Sequence, residues 1–433
     1  MRRVIVIGAG AAGLMAAIHA ARTGADVTIL ERNEKAGKKI YLTGKGRCNV
    51  TNNCDQDEFL AEVAHNPRFL YSALSFFSPA DMMKLLEENG CPVMTQRGRR
   101  VFPVTEKASD VTKTLVSLCG KLGVRILLRQ RVTGIATGQD GAVMGVRVVD
   151  ERAETDGHSD LRRLPEGGQM IRADAVIIAT GGASYPATGS TGDGYHFAKS
   201  LGHTVLPPIP SLVGLEAKES WPMTLQGLSL KNVSVTLKKG KKTLYTELGE
   251  MLFTHFGFSG PLILEASCHL PENPEGCDLT LDLKPGLTVE QLDARLRREL
   301  EAGSRKQLRN ILPALMPVSL AEVFPRICGL PEGLPCNQVT GPQRQRMLET
   351  MKALPLAIRG RRSMQEAIVT RGGVTVKEVN PGTMESRKVP GLFFAGEVLD
   401  VDAHTGGYNL QIAFSTGALA GDSAGRENPK DAV

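Results

Sequence analysis

The chain starts with two short apolar runs that are separated by a stretch of small residues. Val4–Ile7 is a continuous apolar run of the kind that predicts a fully buried strand. Ala11–Thr23 predicts a helix that Gly24 ends, because glycine readily takes the left-handed conformation after a helix. Asp26–Leu30 predicts a second strand, which ends at Glu31. A strand, a helix and a strand in this order predict one parallel βαβ step.

The same kinds of pattern continue through the next part of the chain. Residues 36–53 have no period and predict a functional loop. Ser78, Pro79 and Asp81 have the spacing of a capped helix start. Helices are predicted near Asp57–Ala64, Pro67–Phe77, 79–89 and Lys107–Leu122, the last capped by Thr105. A polar turn at 151–168 interrupts a series of predicted strands, which are Val124–Leu128, Val132–Thr137, Val143–Val149, Gln169–Ile171 and Ala175–Ala179.

The pattern changes near the prolines at 207–210. Two alternating runs predict a β-hairpin around the lysine-rich turn 238–242, and they are Val233–Leu237 and Thr243–Glu247. From 288 to about 354 the period is helical, with N-caps predicted at Thr288, Ser304, Ser319 and Thr340. Gly391–Ala395 then predicts a buried strand, and Asn409–Ala420 predicts an apolar helix. The order predicts a first domain that is completed by the end of the chain, after an insertion.

Composition narrows the function classes. The chain has 433 residues, of which 42% are hydrophobic and 23% are charged, as expected for a folded globular protein. Its 52 Lys and Arg residues against 46 Asp and Glu residues give a net charge of +6, which favours small anionic molecules. Only 5% of the residues are aromatic, so few side chains could stack on nucleic-acid bases. We therefore do not expect a nucleic-acid partner.

Neither a metal site nor a disulfide framework is predicted. The eight cysteines are scattered without a CxxC pair, and the histidines lack HxxxH or HExxH spacing. We therefore expect reduced thiols and a cytoplasmic location. Arg2 and Arg3 precede an almost uncharged run at 4–21, which resembles a signal peptide or a membrane span. The glycines within that run and the acid-ended strand after it favour a nucleotide-binding turn, so no membrane segment is expected.

That turn has the sequence GxGxxG, from Gly8 to Gly13. Gly8 permits a tight turn, Gly10 lets the backbone approach a pyrophosphate, and Gly13 allows close packing of helix on strand. The N-terminus of the following helix points its free N–H groups at the phosphates. Glu31 stands where an acid binds the two ribose hydroxyls, and its charge would repel a 2′-phosphate. The pattern predicts an adenine dinucleotide.

Two further glycine sites favour FAD over NAD. Thr180 and Gly181 follow a buried strand, as in flavoproteins whose FAD site is closed behind a β-meander. Gly396, Glu397 and Asp400 follow the last predicted strand, where an acid can bind the ribityl hydroxyls. The pair 406–407 opens the last helix, whose N-terminus can stabilise negative charge on a reduced flavin ring. A nicotinamide dehydrogenase would not need this second site.

Four segments carry a family resemblance: GKKIYLTGKGRCNVTN, ATGGASYPATGSTGDGY, FTHFGFSGP, and GGVTVKEVNPGTMES with GLFFAGEVLDVDAHTGGYNLQIAFSTG. They resemble the BaiN/RdsA-type FAD-dependent oxidoreductases over nearly the whole chain. The resemblance implies an α/β protein with a Rossmann-type FAD-binding domain, split in sequence, and an inserted β-barrel domain that carries a helical subdomain. The expected parts are 1–203 (FAD domain), 204–287 (barrel), 288–353 (helical subdomain), 354–372 (barrel return) and 373–433 (FAD domain).

The motifs and the resemblance together predict the cofactor contacts. Where family members often have Arg-Lys, this chain has two lysines at 38–39, which keep the charge but lose the bidentate guanidinium. The expected FAD-binding residues are Gly8, Gly10, Ala11, Ala12, Gly13, Glu31, Arg32, Lys38, Lys39, Gly44, Lys45, Gly46, Arg47, Cys48, Asn49, Val132, Thr180, Gly181, Gly396, Glu397, Asp400, Gly407, Asn409, Leu410 and Ile412.

Candidate catalytic groups adjoin the expected flavin loops. Tyr408, His404 and Tyr185 could donate a hydrogen bond to a substrate carbonyl, although His404 could equally be a satisfied loop histidine. Cys48, beside Arg47, could be a reactive thiol, but it lacks a resolving partner and a structural role is favoured. The basic stretches 238–242 and 359–362 could bind anions or be solvated turns.

The expected activity follows from what the chain lacks as well as from what it has. No second Rossmann unit and no CxxxxC pair is found, so an NAD(P)H donor would reach the flavin through the substrate side. The leading hypothesis is hydride transfer from flavin N5 to an activated C=C bond, and the resemblance implies a 3-dehydro-bile acid delta-4,6-reductase acting on a hydrophobic, anionic steroid enone. The alternatives are an amine or aminoketone oxidase that uses oxygen and a flavin-containing RNA-associated accessory protein. The oligomeric state stays open.

Overall fold

A computed structural model describes residues 1–151 and 168–426 of the chain. Most of the predicted polar turn at 151–168 therefore lies outside the described residues. The chain forms two compact units, of which the first combines Met1–Ser211 with Ala367–Val433 and the second is Leu212–Glu366. The first unit is thus assembled from both ends of the sequence, as the split domain requires.

The strands are mostly short, and two of them form one long hairpin. They are β1 (Arg3–Ile7), β2 (Asp26–Glu31), β3 (Thr51–Asn52), β4 (Val93–Thr95), β5 (Arg100–Pro103), β6 (Arg125–Leu128), β7 (Gln130–Thr137), β8 (Val143–Asp150), β9 (Gln169–Arg172), β10 (Ala175–Ile178), β11 (Val205–Ser211), β12 (Leu215–Ala217), β13 (Ser229–Lys239), β14 (Lys242–Thr254), β15 (Gly257–Ser259), β16 (Cys277–Asp282), β17 (Leu354–Pro355), β18 (Ile358–Arg361), β19 (Val369–Val374) and β20 (Leu392–Phe394).

The helices range from single turns to the long C-terminal one. They are α1 (Ala11–Arg22), α2 (Gln56–Ala61), α3 (Tyr71–Phe76), α4 (Pro79–Glu88), α5 (Ala108–Lys121), α6 (Asp193–Ser200), α7 (Trp221–Thr224), α8 (Pro261–His269), α9 (Val289–Ala302), α10 (Leu308–Ile311), α11 (Val318–Ile327), α12 (Gly341–Lys352) and α13 (Tyr408–Gly425). Within 1–151 and 168–426, no helix combines the length and apolarity needed to cross a bilayer.

A five-stranded parallel sheet forms the centre of the first unit, in the order β20-β10-β1-β2-β6. Its strands are buried apolar runs because a parallel sheet is covered on both faces. In β1, Val4 pairs with Ala175 on one side and Val27 on the other. The edge strand β20 comes from the end of the chain, which confirms the predicted split Rossmann-type domain.

Helix α13 completes this domain by packing directly on α1. Gly417 and Gly421 face α1, and an added Cβ would overlap the carbonyl oxygens of Ala12 and Ala16 respectively. The two helix backbones are therefore closer than any side chain would allow. Most of α13 is buried, which explains why its sequence is apolar on every side rather than amphipathic.

The boundary of the insertion differs from the sequence expectation. Strands β11 and β19 pair with each other, with Val205 opposite Val374 and Ser211 opposite Val369. Both belong to the first unit, so the division falls after Ser211 and before Ala367 rather than at 203 and 373. The prolines at 207–210 suggested a domain boundary, but they lie within an irregular edge strand, where proline is tolerated.

The second unit contains a seven-stranded sheet in the order β17-β16-β13-β14-β15-β12-β18. The predicted hairpin is its centre, and it is longer than expected, because β13 and β14 extend to Ser229 and Thr254. Among the described residues no ladder joins the edge strands β17 and β18, so the predicted β-barrel is not confirmed. Helices α9–α12 lie between β16 and β17 in the chain, where the helical subdomain was expected.

Helix starts were predicted correctly where a capping box was present. Ser78, Thr288 and Thr340 each accept a hydrogen bond from the backbone N–H three residues later. The N-caps predicted at Ser304 and Ser319 are wrong. Gln307 and Pro317 are the N-caps instead, although Gln307 and Glu322 stand three residues after the two serines, so the capping-box spacing alone does not place a helix start.

The predicted cap at Thr105 is also wrong. Helix α5 begins at Ala108 with Lys107 as its N-cap, and Thr105 donates its hydroxyl to the Asp110 carboxylate at 2.7 Å. Threonine therefore supports the helix through a side chain in the first turn rather than through the backbone. The loop 36–53 contains a 3-10 segment at Ile40–Gly46 and strand β3, which its lack of period did not predict.

Candidate active site

A cavity runs through the first unit along the carboxyl ends of β1, β2 and β10. One wall is the GxGxxG turn, with Gly8 and Gly10, and another is the start of α13, with Asn409 and Leu410. Ligands of open parallel sheets bind at this edge, where the strands end and the helices begin. All residues that line the cavity belong to the first unit.

The glycine turn has the geometry that each of its glycines was expected to supply. Gly8 has a φ of +101°, and a Cβ there would lie 2.7 Å from the Ala179 carbonyl oxygen. A Cβ at Gly13 would overlap the Gly8 carbonyl, so helix and turn are in contact. A Cβ at Gly10 would meet no atom within 4 Å, because that side of the turn faces the cavity. The backbone at Gly10 is therefore open to a ligand.

Glu31 lies buried at the end of β2 and holds the glycine turn in place. One carboxylate oxygen accepts the N–H of Ala9 at 2.7 Å, and the other accepts the N–H of Asn33 at 2.8 Å. Burial raises the pKa of Glu31, while these hydrogen bonds pull the pKa back down. The oxygen beside Asn33 also accepts the Asn33 side-chain amide at 2.7 Å, whereas the oxygen beside Ala9 keeps a lone pair that can accept a ribose hydroxyl.

A buried charge network next to Glu31 was missed from the sequence. The Arg131 guanidinium approaches both oxygens of Asp193, at 3.2 and 3.3 Å, and its side chain is only 4% exposed. Arg32 contacts the same carboxylate at 3.3 Å and Glu151 at 3.3 Å. The usable signals were the position of Arg131 beside Val132 and of Asp193 within the STGDGY motif. Arg32, Arg131 and Asp193 all line the cavity.

A second network lies along the cavity near β20. The Lys39 ammonium is 2.5 Å from one Glu397 oxygen and donates to the Ser184 hydroxyl at 2.7 Å. The other Glu397 oxygen accepts the N–H of Thr370 at 2.8 Å and the Ser184 hydroxyl at 3.0 Å. Glu397 is thus a fixed acceptor at the cavity wall, with a cation beside it. Lys38 instead turns to Glu34, at 3.1 Å.

The segment 49–51 carries two buried polar atoms that have no hydrogen-bond partner among the described residues. They are the Asn49 amide oxygen and the Thr51 hydroxyl. A Cβ at Gly407 would overlap the main chain of Thr51, so this strand and the start of α13 are in contact. Buried polar atoms without a partner are rare, so each of these calls for a water or a ligand group. At the cavity itself, the open face of Gly10 fits the close approach of a polar dinucleotide such as FAD.

The expected cofactor residues fall into two groups. Those that line the cavity are Gly8, Gly10, Ala11, Ala12, Glu31, Arg32, Lys38, Lys39, Val132, Thr180, Gly181, Glu397, Asn409, Leu410 and Ile412. Those that do not line it are Gly13, Gly44, Lys45, Gly46, Arg47, Cys48, Asn49, Gly396, Asp400 and Gly407. In the second group the loop 44–49 stands out, because only its neighbour Thr43 reaches the cavity wall.

The three catalytic candidates do not line the cavity either. The Tyr408 ring is buried edge-on against Phe59, with ring centroids 5.2 Å apart. His404 lies with Nδ1 3.0 Å from the Glu62 carboxylate. Tyr185 has a φ of +51° and starts a 3-10 turn. Their roles therefore stay predictions.

Cys48 is a buried thiol rather than an exposed nucleophile. Its side chain is fully buried, and burial raises the pKa of the thiol to about 12. We expect alkylating reagents at neutral pH to modify the partly exposed Cys54 and Cys277 in the native protein, and Cys48 only after unfolding, because the thiolate is the reactive form. Mass spectrometry of alkylated peptides, with a denatured sample as control, measures the order. Early labelling of Cys48 would restore the reactive-thiol hypothesis.

Comparison with known proteins agrees with this geometry. The family model described as the HI0933-like protein Rossmann domain matches residues 2–423. The chain belongs to the HI0933-like family. One HI0933-like relative, 32% identical over 98% of this chain and 99% of its own length, is the 3-dehydro-bile acid delta(4,6)-reductase of Clostridium scindens. Another, 32% identical over 98% of both chains, is the ribosomal RNA dihydrouridine synthase of Haemophilus influenzae.

Solved structures with the same fold have low sequence identity to this chain. The 3-ketosteroid-delta4-(5alpha)-dehydrogenase of Rhodococcus jostii RHA1 aligns with a TM-score of 0.51 at 18% identity, covering 98% of this chain and 97% of that one. The 3-ketosteroid delta1-dehydrogenase of Sterolibacterium denitrificans gives 0.51 at 14% identity, covering 98% and 100%. These matches show the fold. With the family and the cavity, they make this HI0933-like chain an FAD-dependent oxidoreductase.

Proposed function

We propose that this HI0933-like protein reduces a C=C bond conjugated to a carbonyl, with a 3-dehydro-bile acid enone as acceptor and NAD(P)H as electron donor. The observation that carries the proposal is the relative named 3-dehydro-bile acid delta(4,6)-reductase, which is 32% identical over 98% of this chain and 99% of its own length. The cavity supports it, because an open glycine turn and a helix N-terminus lie at its ends.

Such a reaction sets clear demands on the protein. When bound, reduced FAD would supply the hydride that adds to the β-carbon of the acceptor, and a proton would complete the reduction at the α-carbon. Negative charge then develops on the carbonyl oxygen, so hydrogen-bond donors must be held there. We propose Tyr408, His404 and Tyr185 as candidates for that role. The Asn409 side chain supports the loop before α13, since it accepts the N–H of Ala403 at 3.0 Å and donates to the Ala403 carbonyl at 2.7 Å.

We also propose that the sheet of the second unit closes as the β-barrel that the sequence predicts. The chain from 354 to 361 supports closure, because β17 pairs with β16 at one edge and β18 pairs with β12 at the other. A barrel interior with Phe253 and Phe258 among its buried residues gives the unit an apolar core of its own.

The test is an anaerobic half-reaction. Holoenzyme reduced with NADH or NADPH is mixed with a bile acid that carries a 3-oxo-4,6-diene, and the flavin absorbance is followed. We expect the oxidised-flavin spectrum to return with formation of one equivalent of reduced steroid. The saturated 3-oxo bile acid, which lacks the double bond, serves as control and should leave the flavin reduced. Peroxide release with an amine, and no reoxidation by any enone, would favour the oxidase alternative instead.

A second candidate acceptor is a uridine in RNA. Relatives at 32% and 30% identity over 98% and 95% of this chain are named ribosomal RNA dihydrouridine synthases. The uracil C5=C6 bond is also conjugated to a carbonyl, so the chemistry would be the same. The supporting feature of this chain is the β13–β14 turn, where four exposed lysines form no ion pair with other described residues: Lys238, Lys239, Lys241 and Lys242. Reoxidation of the flavin by a ribosomal RNA fragment, weakened by salt, would select it.

A further inference from the structure

An exposed arginine turn connects β4 to β5 in the first unit. It has the sequence Arg97-Gly98-Arg99-Arg100, and Gly98 and Arg99 both have positive φ values, +72° and +56°. Arg99 forms an ion pair with Glu58. Arg97 and Arg100 are exposed and take part in none of the ion pairs that the described residues form, so two guanidinium groups of this turn remain available to a ligand.

Hydrogen bonds fix this turn next to the glycine pair before α13. The Asn52 side-chain amide donates to the Gly98 carbonyl at 3.1 Å and to the Gly406 carbonyl at 3.2 Å. The Asn53 N–H donates to the Arg99 carbonyl at 2.8 Å. The Asn52 side chain therefore bridges the arginine turn and the glycine pair. The arginine turn lies at the same end of the first unit as the start of α13, which lines the cavity.

Glu106 connects the loop 44–49 to Gln96, the residue that precedes the arginine turn. One Glu106 oxygen accepts from the Arg47 guanidinium and from the Gln96 amide, each at 2.9 Å. Arg47 is thereby neutralised, and it also lies over the Phe102 ring at 4.5 Å. Lys45 on this loop is exposed and forms no ion pair with a described residue. We call Lys45, Arg97 and Arg100 the basic rim.

We propose that the basic rim binds an oxyanion of the acceptor substrate, a carboxylate or a phosphate, and so selects anionic acceptors. This inference rests on the proposed function, because it concerns the acceptor of that reaction. A guanidinium group matches the geometry of an oxyanion and binds it in bidentate fashion, and Arg97 and Arg100 each supply one. The paired arginines Arg47 and Arg99 shape the surface, while the unpaired cations of the rim contact the ligand.

The experiment compares charged and uncharged forms of the same acceptor. The double variant Arg97→Gln, Arg100→Gln is matched by Arg298→Gln, Arg305→Gln, which removes two exposed charges from the second unit. The acceptors are a 3-oxo-4,6-diene bile acid and its methyl ester, and a uridine-containing oligoribonucleotide and the nucleoside uridine. Melting temperatures of the holoenzymes verify that both variants are folded.

The result expected for the double variant is a KM raised roughly tenfold for the charged acceptor, with kcat unchanged and the uncharged partner unaffected. Added salt should raise the KM of the wild type in the same selective way. Comparison of the bile acid with the oligoribonucleotide shows whether the rim binds a carboxylate or a phosphate. An equal effect on charged and uncharged acceptors, or an equal effect of the control variant, would overturn the assignment.

A binding measurement separates this inference from the proposed function. If no acceptor reoxidises the flavin of the wild type, the proposed function fails. Titration of oxidised holoenzyme with labelled oligoribonucleotide and with bile acid then tests, without any flavin reaction, whether the basic rim binds an oxyanion. Salt-sensitive binding that the double variant weakens supports the rim, whereas absent binding, or binding that the variant leaves unchanged, contradicts it.

Discussion

Replacing Gly421 with alanine is expected to lower the free energy of unfolding by about 2–3 kcal/mol, the usual cost of overpacking a close contact. The new Cβ would overlap the Ala16 carbonyl oxygen, which belongs to the backbone of α1 and cannot rotate away. The helices must therefore separate along their whole contact. Chemical denaturation of the holoenzyme, followed by circular dichroism, measures the loss. Bound FAD should decrease as well, since α1 begins at the cavity.

The matched control is Gly120→Ala in α5. That glycine is exposed, and a Cβ there would meet no atom within 4 Å. Alanine is a better helix former than glycine by up to about 1 kcal/mol, so this variant should be as stable as the wild type or slightly more stable. If Gly421→Ala behaves like Gly120→Ala, the close contact between α1 and α13 does not exist in solution.

Replacing Glu31 with glutamine should weaken FAD binding by roughly 100-fold, because hydrogen bonds to a charged acceptor contribute about 1.5–3 kcal/mol each. Both Glu31 oxygens accept N–H groups, from Ala9 and from Asn33. A glutamine has only one acceptor oxygen, so its NH₂ must face one of these donors. The turn would lose its anchor and the ribose would lose an acceptor. Quenching of FAD fluorescence on titration of the apoprotein gives the dissociation constant.

The exposed Glu87→Gln in α4 is the control for the loss of one negative charge. It should bind FAD as the wild type does. A dissociation constant for Glu31→Gln within threefold of the wild type, together with an unchanged free energy of unfolding, would mean that Glu31 neither anchors the turn nor contacts the ribose. An effect on stability without an effect on affinity would assign Glu31 to the turn alone.

The sequence predicted what local chemistry determines. The βαβ step, the positions of Gly8, Gly10 and Glu31, and the capping boxes at Thr288 and Thr340 each depend on residues close together in the chain. The hydrophobic runs also gave the split domain, because a buried strand at 391–395 needs a sheet to join.

Long-range partners could not be predicted in the same way. Asp193 meets Arg131 across 62 residues of sequence, and Ser184 meets Glu397 across 213. Nothing in a single sequence indicates that residues so far apart are in contact. A glycine-rich motif points to Tyr408 and His404 as candidates, yet their side chains contact Phe59 and Glu62. Side-chain direction at a helix start depends on the neighbouring elements, which the motif does not describe.

The order of the elements in the chain has a consequence for biosynthesis. A polypeptide that the ribosome has extended only to residue 366 already contains the glycine turn, but it lacks β20 and α13, which come from Leu392–Phe394 and Tyr408–Gly425. Cofactor capture therefore follows the synthesis of α13. A nonsense or frameshift mutation anywhere upstream of these residues should leave a colourless product, whereas yellow protein in a cell extract reports chains that extend through α13.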